Sequence, residues 1–278
     1  MSPDAATLGL ELYSVAPVTR GCGRLLGEAL LRHPRFVPSR IGSGDPARTR
    51  VTDLPVQLEE LVDRQLAGGD IRMLLASPER EEYLWVGLRT DPLAGHPPRQ
   101  GRPSHLELGT RATPEQTAAL FADLADLVDP YLGWVTTRAA QLQRLRFEAS
   151  RRLSDPSPPT RAMGRDPHVY HEVCVEDVFW VQAYGPAFLH RWGGPDVLDG
   201  LGVEQRRLRN GGVVLRLTET PRFDRDATAP EDASWKEPLY RRVGPQVFAR
   251  DDQPWGRYGE RVPLFVEHAR HALGWDGP

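Results

Sequence analysis

The chain has 278 residues, of which 40% are hydrophobic and 26% are charged. This composition suits a folded protein and excludes a chain that is disordered throughout. The net charge of −3 provides no field that would attract nucleic acid or an anionic membrane. Two cysteines are too few for a disulfide scaffold. Two buried free thiols are expected, with a single bridge between them as the alternative. The sequence shows neither an export signal nor the ~20 apolar residues of a membrane helix, which predicts a cytoplasmic protein.

The first elements are a strand and a helix. Partial alternation of apolar residues predicts a strand over 7–15. An apolar face predicts a helix over 18–32, which Pro34 ends because a proline ring blocks the preceding turn. The residues of this face are Leu25, Leu26, Ala29 and Leu30.

A loop, a second helix and three strands follow. Residues 38–53 are rich in Gly, Pro, Ser and Arg and predict a loop. A proline suited to the first turn and a Gly-Gly end predict a helix over 55–67. Two apolar segments over 70–76 and 82–90 predict a hairpin, and a further short strand is expected over 104–110.

The third helix has a clear start signal. Thr113 precedes Pro114, and Gln116 lies three positions after the threonine, which is the pattern of a capping box. An apolar stripe continues along the predicted helix. Residues 134–147 are compatible with either a strand or a helix.

A change of composition divides the chain. Residues 151–168 contain four prolines and few apolar residues, which predicts a linker or a long crossing loop. The division gives an N-terminal lobe over 1–150 and a C-terminal lobe over 169–278, although one compact domain remains an open alternative.

The C-terminal lobe repeats the order of strand, helix and hairpin. Asn210–Gly211 is a strong signal for the hairpin turn. The expected bounds are 173–184 for the strand, 186–192 for the helix, 203–208 and 212–219 for the hairpin strands, and 262–273 for a terminal helix. Helices that alternate with antiparallel strand pairs favour an α+β fold, with an antiparallel or mixed sheet, helices packed on one face and a loose repeat compatible with two related lobes.

Two groups of residues raise the question of a metal or nucleotide site. His168, His171 and Cys174 are spaced three apart, but their segment leads into a strand that would separate them, so surface histidines beside a buried thiol are favoured over zinc ligands. The three glycines near the first strand fall within a predicted helix, and no second strand follows at the right place, which disfavours a phosphate-binding turn. They are Gly21, Gly23 and Gly27. The sequence therefore predicts no metal and no cofactor.

Two segments are candidates for a protein interface. Aromatic residues cluster over 180–192, where a buried core is favoured and an exposed interface patch is the alternative. The loop over 221–238 is acidic and could approach a basic partner surface, with a solvated connection as the alternative. Its candidate interface residues are Asp224, Asp226, Glu231, Asp232 and Trp235.

About fifty residues of the C-terminal half resemble a known bacterial family. The shared pattern is a Phe-Trp pair, then Gly-Pro-x-(Tyr or Phe) with a following glycine, and then a hairpin that ends in Leu-Thr-(Asp or Glu)-x-Pro. The matching residues are Phe179, Trp180, Gly185, Pro186, Phe188, Gly193, Leu217, Thr218 and Pro221. The chain resembles the immunity protein 52 family and the related type VI secretion immunity family. Phe188 stands where the family usually has tyrosine, which removes a hydroxyl.

This resemblance implies a non-enzymatic protein that neutralises a toxin by stoichiometric binding, with a protein partner and no cofactor. The matched positions also have a structural explanation, since Gly-Pro suits the junction of a strand and a helix. Two alternatives stay open. The first is a sensor or adaptor in a bacterial antiphage defence system. The second is an enzyme of an unrecognised class, with a site drawn from residues such as His168, His171, Glu172 and Arg191.

Overall fold

The computed structural model describes residues 8–44, 46–77, 82–90, 104–137, 178–219, 221–222 and 233–244. The ten strands in this part form one sheet, in which every neighbouring pair is antiparallel. They are β1 (Leu8–Ser14), β2 (Arg40–Gly42), β3 (Thr49–Arg50), β4 (Asp70–Ala76), β5 (Tyr83–Arg89), β6 (Ser104–Thr110), β7 (Pro130–Thr137), β8 (Val181–Tyr184), β9 (Glu204–Arg207) and β10 (Val213–Arg216). Their order across the sheet is β3-β2-β4-β5-β6-β1-β7-β8-β10-β9.

Five α-helices lie in the described part of the chain. They are α1 (Cys22–Leu31), α2 (Leu54–Leu66), α3 (Pro114–Val128), α4 (Pro186–Trp192) and α5 (Glu237–Val243). Short 3-10 turns occur at Pro34–Phe36, Pro195–Leu198 and Ala233–Trp235. The α+β class predicted from the sequence is confirmed. So are the capping box at Thr113 and the hairpin at Asn210–Gly211, where Gly211 adopts a positive φ of 86°.

Three predicted boundaries need correction. The segment 38–53 contains β2 and β3, which are too short to show an apolar period and form only because β2 pairs with β4. The strand predicted over 173–184 begins at Val181 within the described residues, because Trp180 and the two residues before it lie outside the ladder. The segment 221–238, expected to be irregular, includes the start of α5, whose Leu239 is buried in the core.

The three longer helices cover one face of the sheet. Helix α1 packs between α2 and α3, and α3 contacts β1 and β7. Every second residue of β1 points into this layer, so Leu10 and Leu12 are fully buried beside Phe121 and Leu124 of α3. The one-face arrangement expected from the sequence therefore holds for α1, α2 and α3.

A second apolar cluster lies on the opposite face, over the C-terminal part of the sheet. Its members include Trp134 on β7, Val213 and Leu215 on β10, and Phe188 on α4. Helix α5 contributes Leu239 to the same cluster. The short C-terminal helices thus cover the face that α1, α2 and α3 leave free.

The two predicted lobes share one sheet. Strand β7 from the first half pairs with β8 from the second, and Trp134 lies opposite Gln182. Residues 151–168 lie outside the described part, so the lobe boundaries at 150 and 169 stay a prediction.

A cluster of charged residues joins the β9–β10 hairpin to α1 and α3. The guanidinium of Arg206 donates to Asp123 at 2.9 Å and to Asp126 at 2.7 Å. Asp123 is also 3.0 Å from the ring of His33. We call this group the polar clasp; its members are Arg32, His33, Asp123, Asp126, Arg206 and Arg209.

The clasp has a defined dependence on pH. Burial raises the pKa of Asp123, but hydrogen bonds from Arg206 and His33 and the charges of Arg206 and Arg32 outweigh it, so this pKa lies below its ordinary value of 3.8. A carboxylate with a depressed pKa stabilises the fold above the pKa of the unfolded chain. Its contribution is lost as the pH falls through the folded pKa.

We expect Arg206→Met to lower the free energy of unfolding by about 1 kcal/mol at pH 7, because the pair is only partly shielded from solvent. Urea titration measures this value. Arg207→Met is the matched control, since Arg207 on the same strand pairs with the exposed Asp199 at 3.3 Å and should matter less. The effect of Arg206→Met should vanish in an Asp123→Asn, Asp126→Asn background. If Arg206→Met lowers the stability of that double variant by the same amount, the ion pairs of the polar clasp do not stabilise the fold.

Candidate functional site

The two parts of the family-like pattern meet in the structure. The indole Nε1 of Trp180 donates a hydrogen bond of 2.8 Å to the carbonyl oxygen of Thr218. The backbone N–H of Leu217 donates to the carbonyl oxygen of Trp180 at 2.9 Å. Arg216 covers the indole, with its guanidinium carbon 5.1 Å from the ring centroid. Trp180, which directly precedes β8, therefore holds the end of the hairpin in place.

The Gly-Pro junction also has a structural function. Gly185 donates its N–H to the carbonyl oxygen of Tyr131 at 2.8 Å and is the N-cap of α4, with Pro186 at the start of the helix. Gly193 ends the helix in a left-handed conformation, with φ of 117°. Phe188 is buried beside Tyr184, with ring centroids 5.7 Å apart. These positions maintain the turn from strand to helix and the packing below it.

The aromatic cluster over 180–192 is part of the core. Trp180, Tyr184 and Phe188 are buried, and Trp192 is half-buried against the rings of Tyr184 and Phe188. The core interpretation is confirmed for these residues. The alternative of an exposed aromatic patch is wrong for them.

One of the predicted interface residues can be placed. Trp235 ends a 3-10 turn and packs, half-buried, against the second apolar cluster. The Nζ of Lys236 lies 5.3 Å from the centroid of the Trp235 ring. The other four predicted interface residues, Asp224, Asp226, Glu231 and Asp232, lie outside the described residues, so their binding function stays a prediction.

A set of polar side chains that the sequence reading missed lies on the central strands, on the face opposite α1 to α3. Glu11 on β1 is only 7% exposed and accepts a hydrogen bond of 2.5 Å from the hydroxyl of Tyr13. Glu107 on β6, half-buried, accepts one of 2.8 Å from Tyr83. The two glutamates are direct partners across the β1–β6 ladder. The signal was present as the segment Leu-Glu-Leu in both strands, because alternation places such a glutamate opposite its leucines.

His105 completes this face. Its imidazole stacks on the ring of Tyr13, with centroids 4.6 Å apart and planes inclined by 12°. Burial lowers the pKa of His105 to about 4, although the nearby charge of Glu107 acts in the opposite direction. The imidazole is therefore neutral at pH 7. We call Glu11, Tyr13, Tyr83, His105 and Glu107 the carboxylate face.

The glycines considered for a phosphate-binding turn have another explanation. Glu59 of α2 caps the start of α1, where its carboxylate accepts from the N–H of Gly21 at 2.5 Å and from that of Arg24 at 3.0 Å. The positive end of α1 is therefore occupied by a side chain of the protein itself. Gly23 and Gly27 lie against the backbone of α2, where they permit a close approach of the two helices. Helix packing and capping therefore account for the three glycines.

Cys22 is a free thiol at the start of α1. Burial, followed by the charge of Glu59, raises its pKa from the ordinary 9.0 to about 11. The folded protein therefore holds this proton more tightly than the unfolded chain does. The stability that results is complete below pH 9 and is lost as the pH rises through 11.

We expect Cys22 to react with iodoacetamide about 100-fold more slowly than a free cysteine at pH 8, since the thiolate is the nucleophile. The measurement uses a Cys174→Ser variant, so that only one thiol is read. Addition of 6 M urea should restore ordinary reactivity. A fast reaction in the native state would show that the thiol is accessible and ionised.

Of the remaining predicted site residues, one lies in the described part of the chain. His168, His171, Glu172 and Cys174 lie outside it, and Arg191 is exposed on α4. Within the described ranges, no three His, Cys, Asp or Glu side chains are grouped so that they could hold a metal ion. None of the helices in these ranges has the length and apolar character needed to cross a membrane.

Comparison with known proteins gives a likeness of fold. No family model matches the chain, and no curated protein matches it. A solved structure titled as the T6SS protein PA0821 of Pseudomonas aeruginosa is similar, with a TM-score of 0.56 and 15% sequence identity. The alignment covers 87% of this chain and 76% of that one. At this identity the likeness shows a shared fold.

Proposed function

We propose that this protein is an immunity-type protein of a type VI secretion setting, which acts in the cytoplasm by stoichiometric binding to a toxin. The observation that carries the proposal is the fold likeness to a protein named as a T6SS protein, which extends over 87% of this chain. The family-like pattern over 179–221 supports the same interpretation. This pattern is a feature of the sequence and does not depend on the fold comparison.

The geometry of the pattern explains how such a protein could keep its fold while its surface changes. Trp180, Gly185 and Phe188 are occupied by internal contacts. Residues that hold the scaffold in this way constrain the fold and leave the choice of partner to other surfaces. We therefore expect substitutions in the pattern to reduce stability, and substitutions on exposed surfaces to change partner binding.

The decisive experiment is a protection assay. The protein encoded by the neighbouring gene is expressed alone and together with this protein, and the growth of the host cells is followed. We expect toxicity alone, rescue on co-expression and a 1:1 complex by light scattering. Co-expression with an unrelated toxin is the control and should not rescue growth. Absence of both rescue and complex formation with neighbouring gene products would refute the proposal.

An enzyme is the second candidate, and the carboxylate face is the observation that favours it. Two carboxylates on adjacent strands beside a neutral histidine are groups that general acid–base catalysis uses. Glu107→Gln separates the two proposals, because it keeps the size of the side chain and removes the charge. Protection that survives this substitution favours binding, whereas protection lost from a fully folded, partner-binding variant favours catalysis.

A further inference from the structure

Strand β9 forms one edge of the ten-stranded sheet. It pairs with β10 on one side, and no described strand lies on its other side. An edge strand of this kind presents a row of backbone N–H and C=O groups to another strand. The opposite edge is less open, because β3 has only two residues and the side-chain amide of Gln57 donates to the carbonyl oxygen of Arg50 at 3.0 Å. Of these two edges, β9 is therefore the one at which the sheet can accept a further strand.

The hydrogen bonds of the hairpin show which backbone groups of β9 point outward. The N–H of Leu208 donates to the carbonyl oxygen of Gly212 at 2.9 Å, so these two residues form a hydrogen-bonded pair that continues the β9–β10 ladder. Such pairs alternate with non-hydrogen-bonded pairs along an antiparallel ladder. Arg206, two positions away, therefore bonds inward to β10. The N–H and C=O groups of Gln205 and Arg207 point away from the sheet.

The side chains of β9 hold the strand from both faces of the sheet. On the face of α3, Arg206 joins the polar clasp. On the other face, Gln205 donates to the carbonyl oxygen of Leu198 at 2.7 Å, and Arg207 donates to that of Pro195 at 2.8 Å. An edge that is already held in its extended conformation loses little conformational entropy when another strand binds to it.

The charges along β9 are complementary to those of the same strand in reverse. Charged side chains on an edge strand normally oppose pairing. The centre of a two-fold antiparallel pairing that uses the outward groups is either Gln205 or Arg207. Centred on Arg207, the pairing would place two like charges opposite each other. Centred on Gln205, it places the exposed Glu204 of each copy opposite the exposed Arg206 of the other.

The polar clasp can accept the carboxylate that such a pairing brings. It has three arginines and two aspartates, so one further carboxylate would balance these charges. Within its own chain, Glu204 forms an ion pair of 3.7 Å with Arg216, and the Glu204 side chain is 74% exposed. An exposed pair at this distance contributes little to stability. Glu204 therefore loses little when it turns towards a second copy.

We infer that β9 pairs with β9 of a second copy of this chain, so that the two sheets join across a two-fold axis at Gln205. Each Gln205 exchanges backbone hydrogen bonds with its equivalent, and each Glu204 pairs with Arg206 of the other copy. Because four residues a strand bury less area than a stable interface does, we expect a weak dimer with a dissociation constant of about 50 μM. This inference concerns the chain alone and does not depend on the proposed immunity function.

Sedimentation velocity of the full chain tests the pairing, at concentrations of about 2 to 200 μM that bracket the expected constant. Gln205→Pro should abolish the dimer, because proline removes the outward N–H and leaves the hydrogen bonds to β10 in place. Gln205→Ala is the matched control. It loses the same side-chain hydrogen bond to Leu198 but keeps the backbone N–H, so it should dimerise like wild type.

A charge reversal provides a second variant, which leaves the backbone unchanged. Glu204→Lys should weaken the dimer about 10-fold, because two attractive cross-strand pairs become repulsive. Glu60→Lys changes the net charge equally at an exposed position on α2 and should dimerise like wild type. Hydrogen exchange locates the interface: the amide of Gln205 should become protected as the protein concentration rises, whereas that of Arg206 should be protected at every concentration.

Several outcomes would overturn the pairing of β9 with itself. One is a chain that stays monomeric throughout the concentration range. Another is a dimer that Glu204→Lys does not weaken, or in which the amide of Gln205 exchanges at the same rate at all concentrations, since such a dimer uses a different surface. Protection of Gln205 only after a different protein is added would assign the edge to that protein. Circular dichroism and thermal melting show whether each variant is folded. The protection assay tests the immunity function separately, so either proposal can fail alone.

Discussion

Gly23→Ala should lower the free energy of unfolding by about 3 kcal/mol, because the new methyl group has no room. A Cβ at this position would lie 2.5 Å from the carbonyl oxygen of Leu58 and 2.6 Å from its carbonyl carbon. Both are backbone atoms of α2, so relief requires the helices to move apart. Since α1 also contacts α3, the strain extends across the helical layer.

The matched control is Gly44→Ala. Gly44 has no atom within 4 Å of a built Cβ and has no left-handed φ, so alanine there should be neutral or slightly stabilising. Urea unfolding of both variants supplies the comparison. Equal stability of the Gly23 and Gly44 variants would show that α1 and α2 are not in close contact. Protection by Gly23→Ala should fall with its folded fraction, because only the folded protein can bind a partner.

Trp180→Ala should cost about 4 kcal/mol of unfolding free energy. The indole is almost completely buried, and its removal leaves a cavity between β8 and the end of β10. The substitution also removes the hydrogen bond that the indole donates to the carbonyl oxygen of Thr218. The end of β10 should then open more readily, because the hairpin has lost its contacts with the indole at position 180.

Two comparisons define what Trp180 contributes. Trp180→Phe keeps most of the apolar volume, so a smaller loss would separate packing from the hydrogen bond. Trp235→Ala serves as the control, because Trp235 is half-buried and should cost less. Hydrogen exchange of the β10 amides reports local opening. If Trp180→Ala leaves stability and exchange unchanged, the family-like pattern does not hold the fold, and its residues become candidates for binding.

These predicted losses of stability can be told apart from losses of binding. Gly23 and Trp180 lie in packed contacts, whereas residues that bind a partner are exposed. Substitutions of the first kind should reduce protection in proportion to unfolding and should be rescued at lower temperature. Substitutions of the second kind should reduce affinity at unchanged stability. Two measurements, melting and calorimetry, therefore assign each residue to fold or to binding.

Elements with local signals could be predicted from the sequence. The capping box at Thr113 depends on residues three positions apart, and the turn at Asn210–Gly211 depends on a left-handed glycine. The strands over 70–76 and 82–90 were visible because their apolar residues are consecutive or alternate. Such signals act over a few residues and need no distant partner. They were sufficient to identify an α+β protein with antiparallel pairs.

Which elements share a sheet, and which distant residues meet, depends on tertiary packing. Strands β2 and β3 are two or three residues long, so a partner strand and not periodicity defines them. The clasp joins Asp123 to Arg206, and the carboxylate face joins Glu11 to Glu107. Leu25 is exposed for the same reason, although the sequence pattern placed it on the apolar face of its helix. Contacts of this kind depend on the packing of segments about a hundred residues apart, which neither periodicity nor spacing along the chain specifies.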